Sequence, residues 1–189
     1  MNRIALAAAL AGALASAPVL AAETYTLDSR HTFPSFEVSH LGYSIQRGRF
    51  NKTTGKITLD AAAKKGSAEI TIDAASIDTG LAKLEEHLRG DDFFNVAFFP
   101  TITFKGDKFV FEGDKVKSVG GTLTMLGVSK PVTLTATHFN CADHPMMKKK
   151  ACGGDFTATI KRTDFGMKYG VPAVGDDVTL RIQVEAFKD

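Results

Sequence analysis

Val178-Thr179-Leu180-Arg181-Ile182-Gln183-Val184 decides how this chain is read, because aliphatic and polar side chains alternate along it with period two. Successive side chains of an extended chain point to opposite faces, so the stretch is a strand with one apolar and one wet face. Working outward, the same alternation recurs at Phe36/Val38, Ile57/Leu59, Ile70/Ile72, Ile102/Phe104, Phe109/Phe111, Leu123/Met125, Val132/Leu134 and Phe156/Ala158/Ile160. Lys64-Lys65-Gly66, Lys105-Gly106-Asp107-Lys108 and Glu112-Gly113-Asp114-Lys115 supply turn chemistry between runs, and the last is short enough for a tight hairpin. Roughly eight or nine strands at this spacing predict an all-β, antiparallel barrel or sandwich.

One segment leaves the period. From Gly80 to Arg89, Leu81, Leu84 and Leu88 fall at helical spacing, with Asp78 or Thr79 as expected N-cap and Gly90 as the stop. Glu85 and Arg89 are four apart and pair on the exposed side, while His87 is expected on a different face from Leu84 and Leu88. The following Asp91-Asp92-Phe93-Phe94-Asn95-Val96-Ala97-Phe98-Phe99-Pro100, with four phenylalanines in seven residues, reads as a buried loop or a lid over the barrel.

Length and composition exclude several classes. The 189 residues amount to one domain (23–189) behind a leader (1–22) in which Arg3, the apolar run Ile4 to Ala15 and the small residues Ser16 to Ala22 form a secretory signal. Cleavage is expected after Ala21 or Ala22, giving an exported, periplasmic protein. Beyond the leader no apolar run approaches the roughly 20 residues of a membrane span, so stable membrane insertion is not expected. A net charge of +2, with both signs mixed along the chain, argues against nucleic acid as partner. Homodimerisation through an edge strand stays open.

The chemistry-bearing residues are few. Cys141 and Cys152, the only cysteines, flank a polar loop with Pro145, and in an exported chain a disulfide closing a hairpin is expected. The alternative is a metal site from His138, Cys141, His144 and Cys152, with Met146 and Met147 as soft ligands. No nucleophile elbow, zinc-protease helix motif, phosphate loop or dinucleotide fingerprint occurs, and no cofactor is implied. Asp91 and Asp92 are adjacent, and a capped turn or a pair to Arg89 suits them better than acid/base work. Fourteen Phe and no Trp describe an interior of rings that make no hydrogen-bond demand, which suits either a solid core or an apolar ligand.

Several segments together resemble the YceI-like family of exported polyisoprenoid-binding proteins. They include Tyr25-Thr26-Leu27-Asp28, Phe36-Glu37-Val38-Ser39-His40-Leu41-Gly42, Arg47-Gly48-Arg49-Phe50, Asp73-Ala74-Ala75-Ser76-Ile77-Asp78-Thr79, Glu86-His87-Leu88-Arg89 and Asp92-Phe93-Phe94. Pro100-Thr101-Ile102-Thr103-Phe104, Gly121-Thr122-Leu123-Thr124-Met125-Leu126-Gly127-Val128-Ser129-Lys130-Pro131-Val132 and Ile160-Lys161-Arg162-Thr163-Asp164-Phe165-Gly166 continue it in order. The resemblance implies a lipocalin-like, extended eight-stranded antiparallel β-barrel whose elongated apolar cavity holds a long isoprenoid chain, and a binding protein rather than an enzyme. The cysteine loop marks a disulfide-pinned subset and is expected to affect loop rigidity more than the cavity.

With that expectation, the apolar tail falls to Phe36, Val38, Phe50, Ile70, Ile72, Phe93, Phe94, Phe104, Leu123, Met125, Ile160 and Ile182. A polar or anionic head falls to Arg47, Arg49, His87 and Arg89, since a planar guanidinium holds paired oxygens. The competing class is a lipid-modifying or metal-dependent periplasmic enzyme, whose only foothold is His138 and His144.

Overall fold

The alternation becomes strand pairing along nearly the whole chain. The computed structural model describes residues 22–189, so residues 1–21 of the expected leader, and with them the secretory-signal reading, lie outside the described residues. The strands are β1 (Glu23–Leu27), β2 (Phe33–His40), β3 (Ser44–Phe50), β4 (Thr53–Asp60), β5 (Lys65–Asp73) and β6 (Ile77–Asp78). After the helix α1 (Ala82–Arg89) come β7 (Thr101–Glu112), β8 (Lys115–Met125), β9 (Val128–Asp143), β10 (Lys150–Lys161) and β11 (Val174–Lys188). Among the described residues no helix is long and apolar enough to cross a membrane.

All pairings are antiparallel, and the order β1-β4-β5-β7-β8-β9-β10-β11 returns to β1, closing an eight-stranded barrel. β1 is the closing strand, with Tyr25 opposite Ile57 of β4 on one edge and opposite Lys188 of β11 on the other. The barrel is prolonged at one end, where β2 continues along the same edge of β11, Phe36 opposite Leu180, and β3 pairs outside it. β6 finishes this extension against β3.

The break between β1 and β2 is held by side chains that replace the ladder. Asp28 accepts from the Arg30 backbone N–H at 3.1 Å and Nε at 3.0 Å and lies 2.9 Å from His31 Nδ1. The Arg30 guanidinium holds the Asp28 carboxyl well below the usual carboxylate range, against the opposing effect of burial. Thr32 Oγ1 donates to the Glu185 carbonyl and accepts from the Glu185 N–H, each at 3.1 Å, so its backbone detour costs no hydrogen bond.

Three local expectations are corrected. Lys105-Gly106-Asp107-Lys108 is no turn; it lies inside β7, where a bulge between Gly106 and Lys108 absorbs the extra residue opposite β8. Glu112 to Lys115 does form the tight hairpin, with Gly113 at φ +57°. The helix begins later than expected: Leu81 is the N-cap without a side-chain bond, whereas Asp78 accepts from the Gly80 N–H. Its first turn is fastened instead by Glu85, which accepts from the Thr79 N–H at 2.9 Å and pairs with Arg89 at 3.6 Å. The phenylalanine-rich loop is buried only in part, since Phe94 is in the core while Phe98 is 80% exposed.

Candidate functional site

The inward faces of the strands do not fill the barrel. They line an internal cavity of about 580 Å³ that runs from a base near Tyr25, Leu59, Val116 and Cys152 to a mouth near His40, Gln46, Leu81, His87 and Tyr169. All the base residues named are buried, which closes that end. Lipid-sized ligands suit such a space: an eight-stranded barrel is about the size that encloses one slender molecule, and an apolar wall resists filling by water.

Every apolar candidate lies on this wall. Phe36 and Val38 come from β2, Phe50 from β3, Ile70 and Ile72 from β5, Phe104 from β7, Leu123 and Met125 from β8, Ile160 from β10 and Ile182 from β11. Phe93 and Phe94 reach it from the loop after α1. Phe50 meets Phe94 edge-on at 5.4 Å and Phe36 at 6.2 Å, so the rings narrow the upper cavity. Gly48, opposite Phe36, leaves room for that ring: a Cβ there would stand 2.5 Å from it.

The four polar candidates do not converge. Period two puts Arg47 and Arg49 on the outer face of β3, opposite Gln46 and Phe50. Arg47 still borders the mouth, but its Nε is bound to Glu37 Oε1 at 3.0 Å. Arg49 is away from the cavity, its guanidinium 4.6 Å from the centre of the Phe33 ring. Arg89 is also away from it, donating to the carbonyls of Ala75 and Ile77 at 2.9 and 3.0 Å. His87 does face the cavity, and it shares that side of α1 with Leu84 and Leu88, contrary to expectation. Its partner is Asp92, at 3.3 Å, so Asp92 pairs with the histidine rather than with Arg89.

His87, Phe93 and Tyr169 form an aromatic trio at the mouth. His87 meets Phe93 at 4.9 Å and Tyr169 at 5.2 Å, both edge-on, and Phe93 lies 5.4 Å from Tyr169. Tyr169 was not anticipated; its strand-free context gives it no period to read. Arg162 was missed too. It is buried in the wall, and its guanidinium donates to the carbonyls of Gly175, Met167, Tyr169 and Val174 at 2.8 to 3.3 Å. Burial pushes its pKa below the usual arginine value, partly countered by Asp176. The clamp fixes the segment that carries Tyr169 to the mouth.

Cys141 and Cys152 sit opposite one another on β9 and β10 and are joined in a disulfide. The bond removes both thiolates from the metal-ligand set, and His144 Nδ1 accepts from the N–H groups of Met146 and Met147. Among the described residues no group of three or more His, Cys, Asp or Glu stands ready to hold a metal. The disulfide also does more than pin a loop, because buried Cys152 forms part of the cavity floor.

Comparison with known proteins agrees with this architecture. Residues 25–186 match the family model described as YceI-like domain. A UPF0312 protein of Pseudomonas aeruginosa is 38% identical over 187 residues, covering 96% of each chain. The crystal structure of Burkholderia cenocepacia BcnA superposes with a TM-score of 0.73 at 26% identity, covering 85% of this chain and 99% of that one. A polyisoprenoid binding domain from Saccharophagus degradans shares the fold at 17% identity, TM-score 0.63, covering 87% and 98%.

Proposed function

This chain belongs to the YceI-like family, and from that premise we propose that it is a non-enzymatic carrier of polyisoprenoid or similar long-chain lipids, of the isoprenoid quinone or polyprenyl type. It works in the periplasm, to which the leader directs it. The observation that carries the reading is the cavity itself: an apolar volume of about 580 Å³ inside the barrel, walled mainly by strands and open at a mouth edged by α1 and two loops. A fold neighbour described as polyisoprenoid binding is consistent with such an occupant.

The driving force is transfer of hydrocarbon from water into a dry tunnel, at most about 0.8 kcal/mol per methylene-sized unit. Micromolar binding needs about 8 kcal/mol net, which a few isoprene units supply after the cost of association. That force has no direction, so length is selected by the distance from mouth to base. The aromatic trio is the place where the ligand crosses the rim.

Native mass spectrometry of protein purified without detergent from its own cell envelope tests the reading. A stoichiometric adduct that organic extraction identifies as an isoprenoid supports it. Bare protein that takes up no added polyprenyl lipid or quinone overturns it. Phe93→Asp places a charge in the trio and is expected to lower retention of the adduct at least tenfold while leaving the far-ultraviolet spectrum unchanged. Undiminished retention removes that loop from the ligand's path.

A further inference from the structure

Six of the large apolar side chains that stand exposed among the described residues gather around the mouth: Leu41, Tyr43, Ile45, Leu81, Tyr169 and Val171. Leu41 and Tyr43 form the tip of the β2–β3 hairpin, Ile45 lies at the start of β3, Leu81 precedes α1, and Tyr169 and Val171 lie in the loop before β11. The Leu41 N–H donates to the Ala173 carbonyl at 2.8 Å, which ties the hairpin tip to that loop. Leu81 and Tyr169 also line the cavity, so the exposed set is continuous with the apolar wall.

One of the six sits where fold stability favours another residue. The β2–β3 turn, closed by a bond from the Tyr43 N–H to the His40 carbonyl at 3.0 Å, holds Leu41 and Gly42 at φ +55° and +73°. Asn, Asp and Gly adopt this backbone at least cost. Leu126, in the β8–β9 turn at φ +53°, is compensated because it packs against the core. Leu41 is 51% exposed and stands outside that packing. Its side chain is thus held in water by a turn that a polar residue would form better, which points to a partner met part of the time.

Resting on the carrier reading above, we infer that this end of the barrel docks on a lipid bilayer, with Leu41, Tyr43 and Val171 entering the interface and the cavity mouth opening against it. The apolar tips come from three separate segments that surround an opening, which suits a fluid partner that needs no matching shape. A second copy set mouth to mouth would close the opening through which the ligand must pass. A long isoprenoid that left the mouth into water would expose its hydrocarbon, whereas a mouth seated on a bilayer passes it from one apolar phase to another. Tyr43 and Tyr169 combine a ring with a hydroxyl, the character that favours the boundary between headgroups and acyl chains. Exposed Lys83 and Lys168 are matched at this end by exposed Glu86 and Asp91, so apolar contact rather than charge carries the docking, and it is reversible.

The chain contains no Trp, so a single introduced indole reports on one place. Tyr43→Trp marks the mouth, where Tyr43 is 91% exposed, and Met146→Trp, at a position 81% exposed in the loop between β9 and β10, marks the base. The full mature protein is mixed with phosphatidylcholine vesicles whose acyl chains carry bromine as a quencher. Tyr43→Trp is expected to emit at shorter wavelength and to lose about half its intensity or more, while Met146→Trp is unaffected. No change in Tyr43→Trp, or equal quenching at both positions, overturns the docking. Leu41→Asp suits the left-handed turn; added to Tyr43→Trp it should cut the quenching about threefold or more, and quenching that persists counts against the proposal. Its uptake of farnesol and farnesene, an isoprenoid alcohol and a hydrocarbon of the same carbon count, should stay unchanged. A shift that grows with protein concentration in the absence of vesicles assigns the face to a second copy and likewise overturns it. These readouts need no bound ligand, so a failure of docking leaves the lipid adduct in the mass spectrum, whereas a failure of the carrier reading removes it.

Discussion

The two ends of the cavity are held by opposite means. At the base one carboxylate gathers three strands: Glu23 of β1 accepts from Tyr25 at 2.5 Å, from Lys150 of β10 at 2.7 Å and from Lys188 of β11 at 2.8 Å. At the mouth one guanidinium, Arg162, gathers carbonyls from the loop after it and from the first two residues of β11. The first arrangement joins strands distant in sequence and closes the barrel. The second orders a short segment and the aromatic ring it carries. Damage at the base should therefore register in global stability, and damage at the mouth in ligand access.

The sharpest way to break this contrast is Tyr25→Ala. The ring is almost fully buried at the base and its hydroxyl engages Glu23, so removing it should cost about 3–5 kcal/mol in urea unfolding. A cost no larger than that of Phe93→Asp would erase the distinction between the ends. Next in size is the disulfide. Replacing Cys141 and Cys152 together by serine removes a crosslink closing a sequence separation of 11, worth about 3 kcal/mol by loop closure. The midpoint of denaturation should drop, and because Cys152 lies in the floor, farnesene binding should weaken as well.

The wall was legible in the sequence, and the ends were not. Period two assigns each strand residue to a face, and the apolar candidates from Phe36 to Ile182 all lie on the cavity. The same rule, applied to Arg47 and Arg49, would have turned both outward with respect to Phe50; choosing them for charge overrode parity. Arg162 and Tyr169 escaped because a 3-10 turn (Arg162–Phe165) and a strand-free loop have no apolar period, and what places them is a fan of backbone carbonyls.

A smaller effect sharpens the contrast through pH. Bonds from Lys150, then Lys188 and Tyr25, hold the Glu23 carboxyl down to about 2, below the roughly 4.3 expected of an unfolded chain. Because the folded value is the lower one, its stabilisation is complete above the unfolded value and is lost as pH falls toward about 2. Glu23→Gln should thus cost about 1–2 kcal/mol at neutral pH, allowing for the partly exposed lysines, with the gap to wild type closing between about pH 4.5 and 2. A gap independent of pH would assign the effect to packing and not to the charge.

The smallest expected effect lies at the mouth and tests which end of the ligand stays there. Arg47 is 66% exposed, and Glu37 already engages it at 3.0 Å and Arg181 at 3.4 Å. His87 is likewise paired with Asp92, Arg49 is laid on Phe33, and Arg89 is turned to backbone carbonyls. Arg47 and Arg181 share Glu37, so an anionic head that meets Arg47 competes with that carboxylate for it. Arg47→Gln should change stability by less than about 0.5 kcal/mol, the usual scale of an exposed pair, and farnesol affinity less than twofold. Farnesyl pyrophosphate is the discriminating competitor. Should it bind more tightly than farnesol and lose tenfold or more in Arg47→Gln, the head would sit at the rim and Arg47 would hold it.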